Sequence, residues 1–146
     1  MKTLGKYLIS LVTLVAMIAA FQFIWFKDWL ITGMVVTSIV LHEIGHATVL
    51  LSYGVSSSMF FVPFLGAVVV PNKKVNTLSD KQNALVSLAG PLVNVVLVMI
   101  GLILLITKYS GIQEKYPLGL VSLNLSLIFF NMLPFLPFDG GRYVRF

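Results

Sequence analysis

The chain holds two histidines, and they stand four apart at His42 and His46, with Glu43 directly after the first. On a helix, side chains four apart are neighbours about 5–6 Å apart at Cβ, so two imidazole nitrogens placed this way can converge on one divalent metal ion. Glu43 lies beside that face, where its carboxylate can take a proton from a water that the metal activates. Shuffling this composition yields the arrangement on the order of once in 5,000 trials, which favours a built site over accident. The bland alternative is two histidines hydrogen-bonded to neighbouring helices.

A catalytic zinc takes three protein ligands and keeps a further position open. The chain has no cysteine and no third histidine, so the missing ligand must be a carboxylate. Of the five acidic residues, Asp28, Asp80 and Glu114 fall in connections between apolar runs, whereas Asp139 stands just past one, before Gly140 and Gly141. From the residues alone Asp139 reads equally as a metal ligand and as the start of an Asp-Gly turn.

The elements that must position these groups are apolar and long. Apolar residues make up 58% of the 146 positions and charged ones 10%, against about 25% charge in a soluble domain. That composition rules out an ordinary water-soluble globule and a disordered chain. Four uncharged or nearly uncharged runs, 7–26, 29–51, 83–107 and 116–136, are each read as a membrane-spanning helix, since about 20 residues at about 1.5 Å rise cover the bilayer core. Residues 59–70 are too few to cross as a helix; Pro63 and Gly66 interrupt them before Val68, Val69 and Val70, which reads as a re-entrant or interfacial hairpin of β character. The fold class expected is therefore an all-α membrane protein of about four spans, with a short β-like hairpin between the second and third. Pro134 and Pro137 are expected to end the fourth helix near 134; with Asp139 as a metal ligand, the chain from there to Asp139 would fold back towards the metal.

The first run competes with a cleaved signal peptide, but apolar residues continue from Phe21 to Phe26 where a polar region would follow a cleavage site, so a retained helix is expected. Lys2, Lys6, Lys73, Lys74, Lys81, Arg142 and Arg145 fall on one side of the resulting topology, and Lys27, Lys108 and Lys115 on the other. The positive-inside rule then puts both termini in the cytoplasm of a multi-pass cell-membrane protein. The net charge of +5 reads as membrane orientation, with no basic patch interleaved with aromatics and no nucleic-acid partner expected. No internal repeat or second domain is visible.

Three motifs in order carry a family resemblance: His42 to His46; Gly90-Pro91-Leu92-Val93-Asn94; and Asn131 through Pro134 and Pro137 to Asp139-Gly140-Gly141. Together they resemble the site-2 protease family of intramembrane zinc metalloproteases, in particular the short bacterial branch that includes the sporulation protease acting on a sigma-factor precursor. Residues 60–70, with Pro63-Phe64-Leu65-Gly66, are similar to that family's re-entrant hairpin, with Ala67 standing where the family usually has a second glycine. The resemblance implies one metalloprotease core over 1–146, with His42, His46 and Asp139 binding Zn²⁺ and Glu43 as general base. It further implies that Asn94 contacts substrate or stabilises the oxyanion, and that the loop at Gly66 lies against substrate. Asn124 and Asn131, seven apart on one helical face, read as helix-packing groups. Family members usually continue beyond the point where this chain stops, five residues after Gly141, so truncation at the C-terminus is expected.

The activity that follows is hydrolysis of peptide bonds in transmembrane or membrane-tethered protein substrates near the cytoplasmic face. Partners beyond substrate and bilayer could include a second copy or a regulatory membrane protein. Two other readings use the same ligands: a metal carrier or sensor, which needs no base, and an inactive scaffold of the family. Such a substrate helix must unwind before its peptide bond can be attacked, and the edge at 66–70 offers an extended segment for it to pair with.

Overall fold

The structure, a computed structural model, describes residues 2–62, 66–71, 78–108, 111–133 and Asp139. Helix α1 (Lys2–Ala20) passes into one π-helical turn, Phe21–Phe26, closed by Lys27 in the left-handed region. Helix α2 (Trp29–Ser52) follows, then strands β1 (Ser57–Val62) and β2 (Gly66–Pro71), helix α3 (Asp80–Ile106) and helix α4 (Lys115–Asn131). Local signals set the helix starts. Asp28 caps α2, its carboxylate accepting from Leu30 N–H at 2.9 Å, and Ser79 with Gln82 forms a capping box that starts α3. The third helix therefore begins at Asp80, three residues before the expected 83.

Among the described residues, three segments are long and apolar enough to cross a membrane: Tyr7–Phe26, Trp29–Ser52 and Asp80–Ile106. The expectation of four spans is not met by the same measure, because α4 has 17 residues, about 26 Å of helix against a bilayer core of about 30 Å. It ends at Asn131 instead of near Pro134. Residues 134–138, with both late prolines, lie outside the described residues. The hairpin is a true antiparallel sheet, so the chain is mostly helical and not all-α; its register pairs Ser57 with Pro71, Met59 with Val69 and Val62 with Gly66.

The helices are inside-out relative to a soluble protein. Along α3 the exposed stripe is Leu92, Val96, Met99, Ile103 and Ile106, while Ser87, Gly90, Asn94 and Gly101 are buried. Small and polar residues inward with apolar ones outward is what lipid as solvent selects. It lets backbones approach: a Cβ added at Gly45 of α2 would lie 2.8 Å from the Ala89 carbonyl of α3. Two apolar clusters close the remaining space. Met17, Phe21, Val35, Ile39 and Phe61 join α1 and α2 to the hairpin, and Leu50, Val55, Val69 and Val86 join α2 and α3 to β2.

Candidate active site

His42 and His46 sit on one buried face of α2, and Glu43, also buried, lies beside it. Counting from Ser52, His46 lies about 9 Å and His42 about 15 Å from the end of that helix. Helix α3 runs back beside it, and Gly90, ten residues from Asp80, comes to the same depth. A Cβ added at Gly90 would meet His46 Nε2 and lie 2.6 Å from His42 Nε2. The glycine therefore leaves the room in which the two rings face each other.

Into this space comes Asp139, 9% exposed and 97 residues from His42. Its Oδ2 lies 3.1 Å from His42 Nε2 and 3.0 Å from His46 Nε2, and the two Nε2 atoms are 3.1 Å apart. The other side of each ring is held. His46 Nδ1 donates to the Val86 carbonyl at 2.6 Å, and His42 Nδ1 donates to Asn94 Oδ1. Both Nε2 atoms consequently present lone pairs toward each other and toward a carboxylate oxygen.

Three electron-pair donors facing one another at this range repel unless a cation lies among them. Donors sharing a tetrahedral ion at bonds of about 2.0–2.1 Å stand about 3.3 Å from each other, so the triangle fits zinc with little adjustment. Two imidazoles and one carboxylate also match a catalytic zinc's ligand set, with no thiolate required. His42, His46 and Asp139 thus form a buried group that can hold a metal ion.

Glu43 points elsewhere. Its carboxylate, 9% exposed, accepts from the backbone N–H of Val69 on β2 at 3.0 Å. Because the Val69 N–H leaves the ladder, Val69 and Met59 form a non-hydrogen-bonded pair, and the outward groups of β2 run along the edge that faces Glu43. The opposite edge is covered by α1, whose Ser10 hydroxyl donates to the Met59 carbonyl at 2.6 Å.

Asn94 is completely buried, and both ends of its amide have protein partners: Oδ1 takes His42, and Nδ2 donates to Asn124 Oδ1 at 2.7 Å. Gly66 begins β2 three residues before Val69, about 10 Å along the strand from the group that touches Glu43. The groups that sequence reasoning missed are mostly backbone: the Val86 carbonyl and the Val69 N–H have no residue type to betray them. Gly90 did leave a signal, as a glycine next to proline inside an apolar span.

Residues 30–116 match Peptidase family M50, and the chain belongs to this family, that of the site-2 proteases. The matched stretch contains His42, Glu43, His46, Gly90 and Asn94; Asp139 lies beyond it. A zinc metalloprotease of Methanocaldococcus jannaschii is 36% identical over 114 residues, covering 74% of this chain and 31% of its own. Stage IV sporulation protein FB of Bacillus subtilis is 33% identical over 106 residues, covering 71% of this chain and 35% of its own. The chain thus spans about a third of the length of these relatives. The solved site-2 protease of M. jannaschii shares the fold, with a TM-score of 0.60 at 23% identity over 94% of this chain and 63% of that one. Zinc is the metal in the name of the M. jannaschii metalloprotease, and the donor set here suits it.

Proposed function

We propose that this chain is the catalytic core of an intramembrane zinc endopeptidase that cleaves transmembrane or membrane-tethered proteins near the cytoplasmic face. The observation that carries the reading is the convergence of His42 Nε2, His46 Nε2 and Asp139 Oδ2 within 3.1 Å of one another, next in sequence to a buried glutamate. In this reading His42, His46 and Asp139 hold zinc. When bound, the ion supplies a Lewis acid that polarises a carbonyl and makes water a better nucleophile near neutral pH.

The remaining work falls to the protein. Val69 holds Glu43 Oε2, which leaves Oε1 as the oxygen to accept the proton from the attacking water and pass it to the departing amine. A substrate must arrive extended, because a helix keeps its peptide groups within its own ladder. The outer edge of β2 suits such a strand: its outward groups include Ala67 N–H and C=O, and it lies against Glu43, whereas the β1 edge is closed by Ser10. Gly66, at the start of that edge, gives the substrate backbone room to approach.

In this reading α4, with 17 residues, is the fourth span and lies close to the bilayer normal. Lys and Arg number seven on the side of the α2–α3 connection and three on the other. That asymmetry supports cytoplasmic termini and a site about 9–15 Å below the cytoplasmic surface. The test is cleavage of single-span substrates in detergent by wild-type and Glu43→Gln protein, with zinc content measured in parallel. The expected result is a loss of about 10²–10⁴-fold in rate at unchanged zinc content. Undiminished cleavage would overturn the assignment of the base, and protein that carries zinc yet cleaves nothing in either form would favour a metal carrier.

A further inference from the structure

An imidazole that is to bind a metal through Nε2 must carry its proton on Nδ1. For His46 a backbone carbonyl settles the matter, because Val86 C=O can only accept. His42 faces a carboxamide instead, and a carboxamide can present either an acceptor or a donor. Turned the other way, Asn94 would offer N–H to His42 Nδ1 and drive the ring's proton onto Nε2, where it would block metal binding.

What orients Asn94 lies on α4. Its Nδ2 donates to Asn124 Oδ1 at 2.7 Å. Asn124 is a carboxamide too, but its own Nδ2 donates to the Leu120 carbonyl at 2.8 Å and faces the Ser38 hydroxyl at 3.1 Å. The Leu120 carbonyl only accepts, so the direction of every bond from it to His42 follows. Asn94 and Asn124 are both completely buried, so water does not compete, and in a low dielectric each bond in such a chain strengthens the next.

We propose that Asn124 is a positioning residue of the metal centre: acting through Asn94, it holds His42 in the tautomer whose Nε2 lone pair faces the ion. The packing of α4 is thereby coupled to the metal affinity of a ligand on α2, two helices away in sequence. The proposal rests on the reading of His42 as a metal ligand.

The experiment is zinc affinity by chelator competition on the full chain in detergent, with helical content followed by circular dichroism. Asn124→Leu removes the acceptor that orients Asn94 and should weaken zinc binding by about 10–100-fold, as loss of a ligand's outer partner does elsewhere. Asn131→Leu, on the same helix but bonded to its own Leu127 carbonyl, should stay within about threefold of wild type. Asn94→Asp can only accept from His42, so in that background Asn124→Leu should no longer matter. A loss of equal size in both backgrounds would mark Asn124 as merely structural. Affinity of Asn124→Leu within about threefold of wild type, alongside loss in His42→Ala, would overturn the relay and leave the metal site standing. Unchanged affinity in His42→Ala would instead bring down the metal reading itself. No variant needs to fold for the last measurement: ¹⁵N spectra of the wild-type, zinc-free chain, with its two histidines labelled, should show both rings protonated at Nδ1. A His42 that carries its proton on Nε2 with Nδ1 bare would refute the proposal.

Discussion

Glu43 Oε2 accepts a hydrogen bond from the backbone N–H of Val69 at 3.0 Å, joining the helix that carries both histidines to the free edge of the hairpin. The bond is charge-assisted and buried, so it is among the stronger kinds. It aims the carboxylate and ties the position of β2 to that of α2.

Removing the acceptor should free that amide. In Glu43→Ala, hydrogen exchange at the Val69 amide should rise by about 10–100-fold, matching the loss of a hydrogen bond worth about 1.5–3 kcal/mol. The Val68 amide, which alternation puts in the ladder with Phe60, should change little. Equal acceleration at both would mean that the hairpin as a whole had loosened and that the Glu43 contact holds no one amide.

Gly90→Ala tests the space at the metal centre. Its Cβ would stand 2.6 Å from His42 Nε2, while alanine favours helix over glycine by about 1 kcal/mol. Zinc affinity should fall by about 100-fold or more, with the helical content of the metal-free chain preserved. Retained zinc would mean that the rings and Asp139 meet the ion away from α3.

Zinc removal should itself be visible as stability. A ligand at about a thousand times its dissociation constant adds about 4 kcal/mol to the folded state. Thermal unfolding in detergent should therefore drop on treatment with a strong chelator and recover with zinc, and His46→Ala should remove the response.

Ala67→Pro deletes an outward N–H of β2 without touching the ladder or Glu43. Substrate cleavage should decline by about 3–10-fold, the value of one backbone hydrogen bond, with zinc content unaltered. Full activity would remove the β2 edge from substrate binding.

Asp28 predicts a pH dependence at the other end of α2. Desolvation works to raise the pKa of this carboxyl, but the N–H of Ile31, the Lys115 ammonium and the N–H of Leu30 outweigh it and hold the group below its ordinary value of 3.8. A carboxyl depressed on folding contributes stability that is complete above its unfolded value and is lost as pH falls through the folded one. Asp28→Asn should therefore unfold at a lower temperature than wild type at neutral pH, with the gap closing below about pH 4. Lys115 is half exposed, so salt should reduce its share of the effect. A gap independent of pH would assign the difference to something other than the ionised cap.

The parts of this protein legible in its sequence are those that depend on one or two helical turns. The spacing of His42 and His46 places both rings on one face wherever a helix forms, and Asp28, Ser79 and Gln82 mark helix starts because capping is local. The length of apolar runs likewise announced the three segments long enough to cross a membrane, since the bilayer sets that length independently of any neighbour. Asp139 could be proposed from composition and family likeness, but its arrival beside His46, 93 residues away, is a matter of packing.

Tertiary structure alone decided the direction of each polar group. Asn94 faces His42 because Asn124 and a backbone carbonyl on α4 orient it, and Glu43 faces Val69 because the apolar cluster of Leu50, Val55, Val69 and Val86 packs β2 on α2. Side chains in these roles carry no local pattern. Their partners are backbone atoms or amides brought together across helices, and a buried amide takes its orientation from whichever neighbour can only accept.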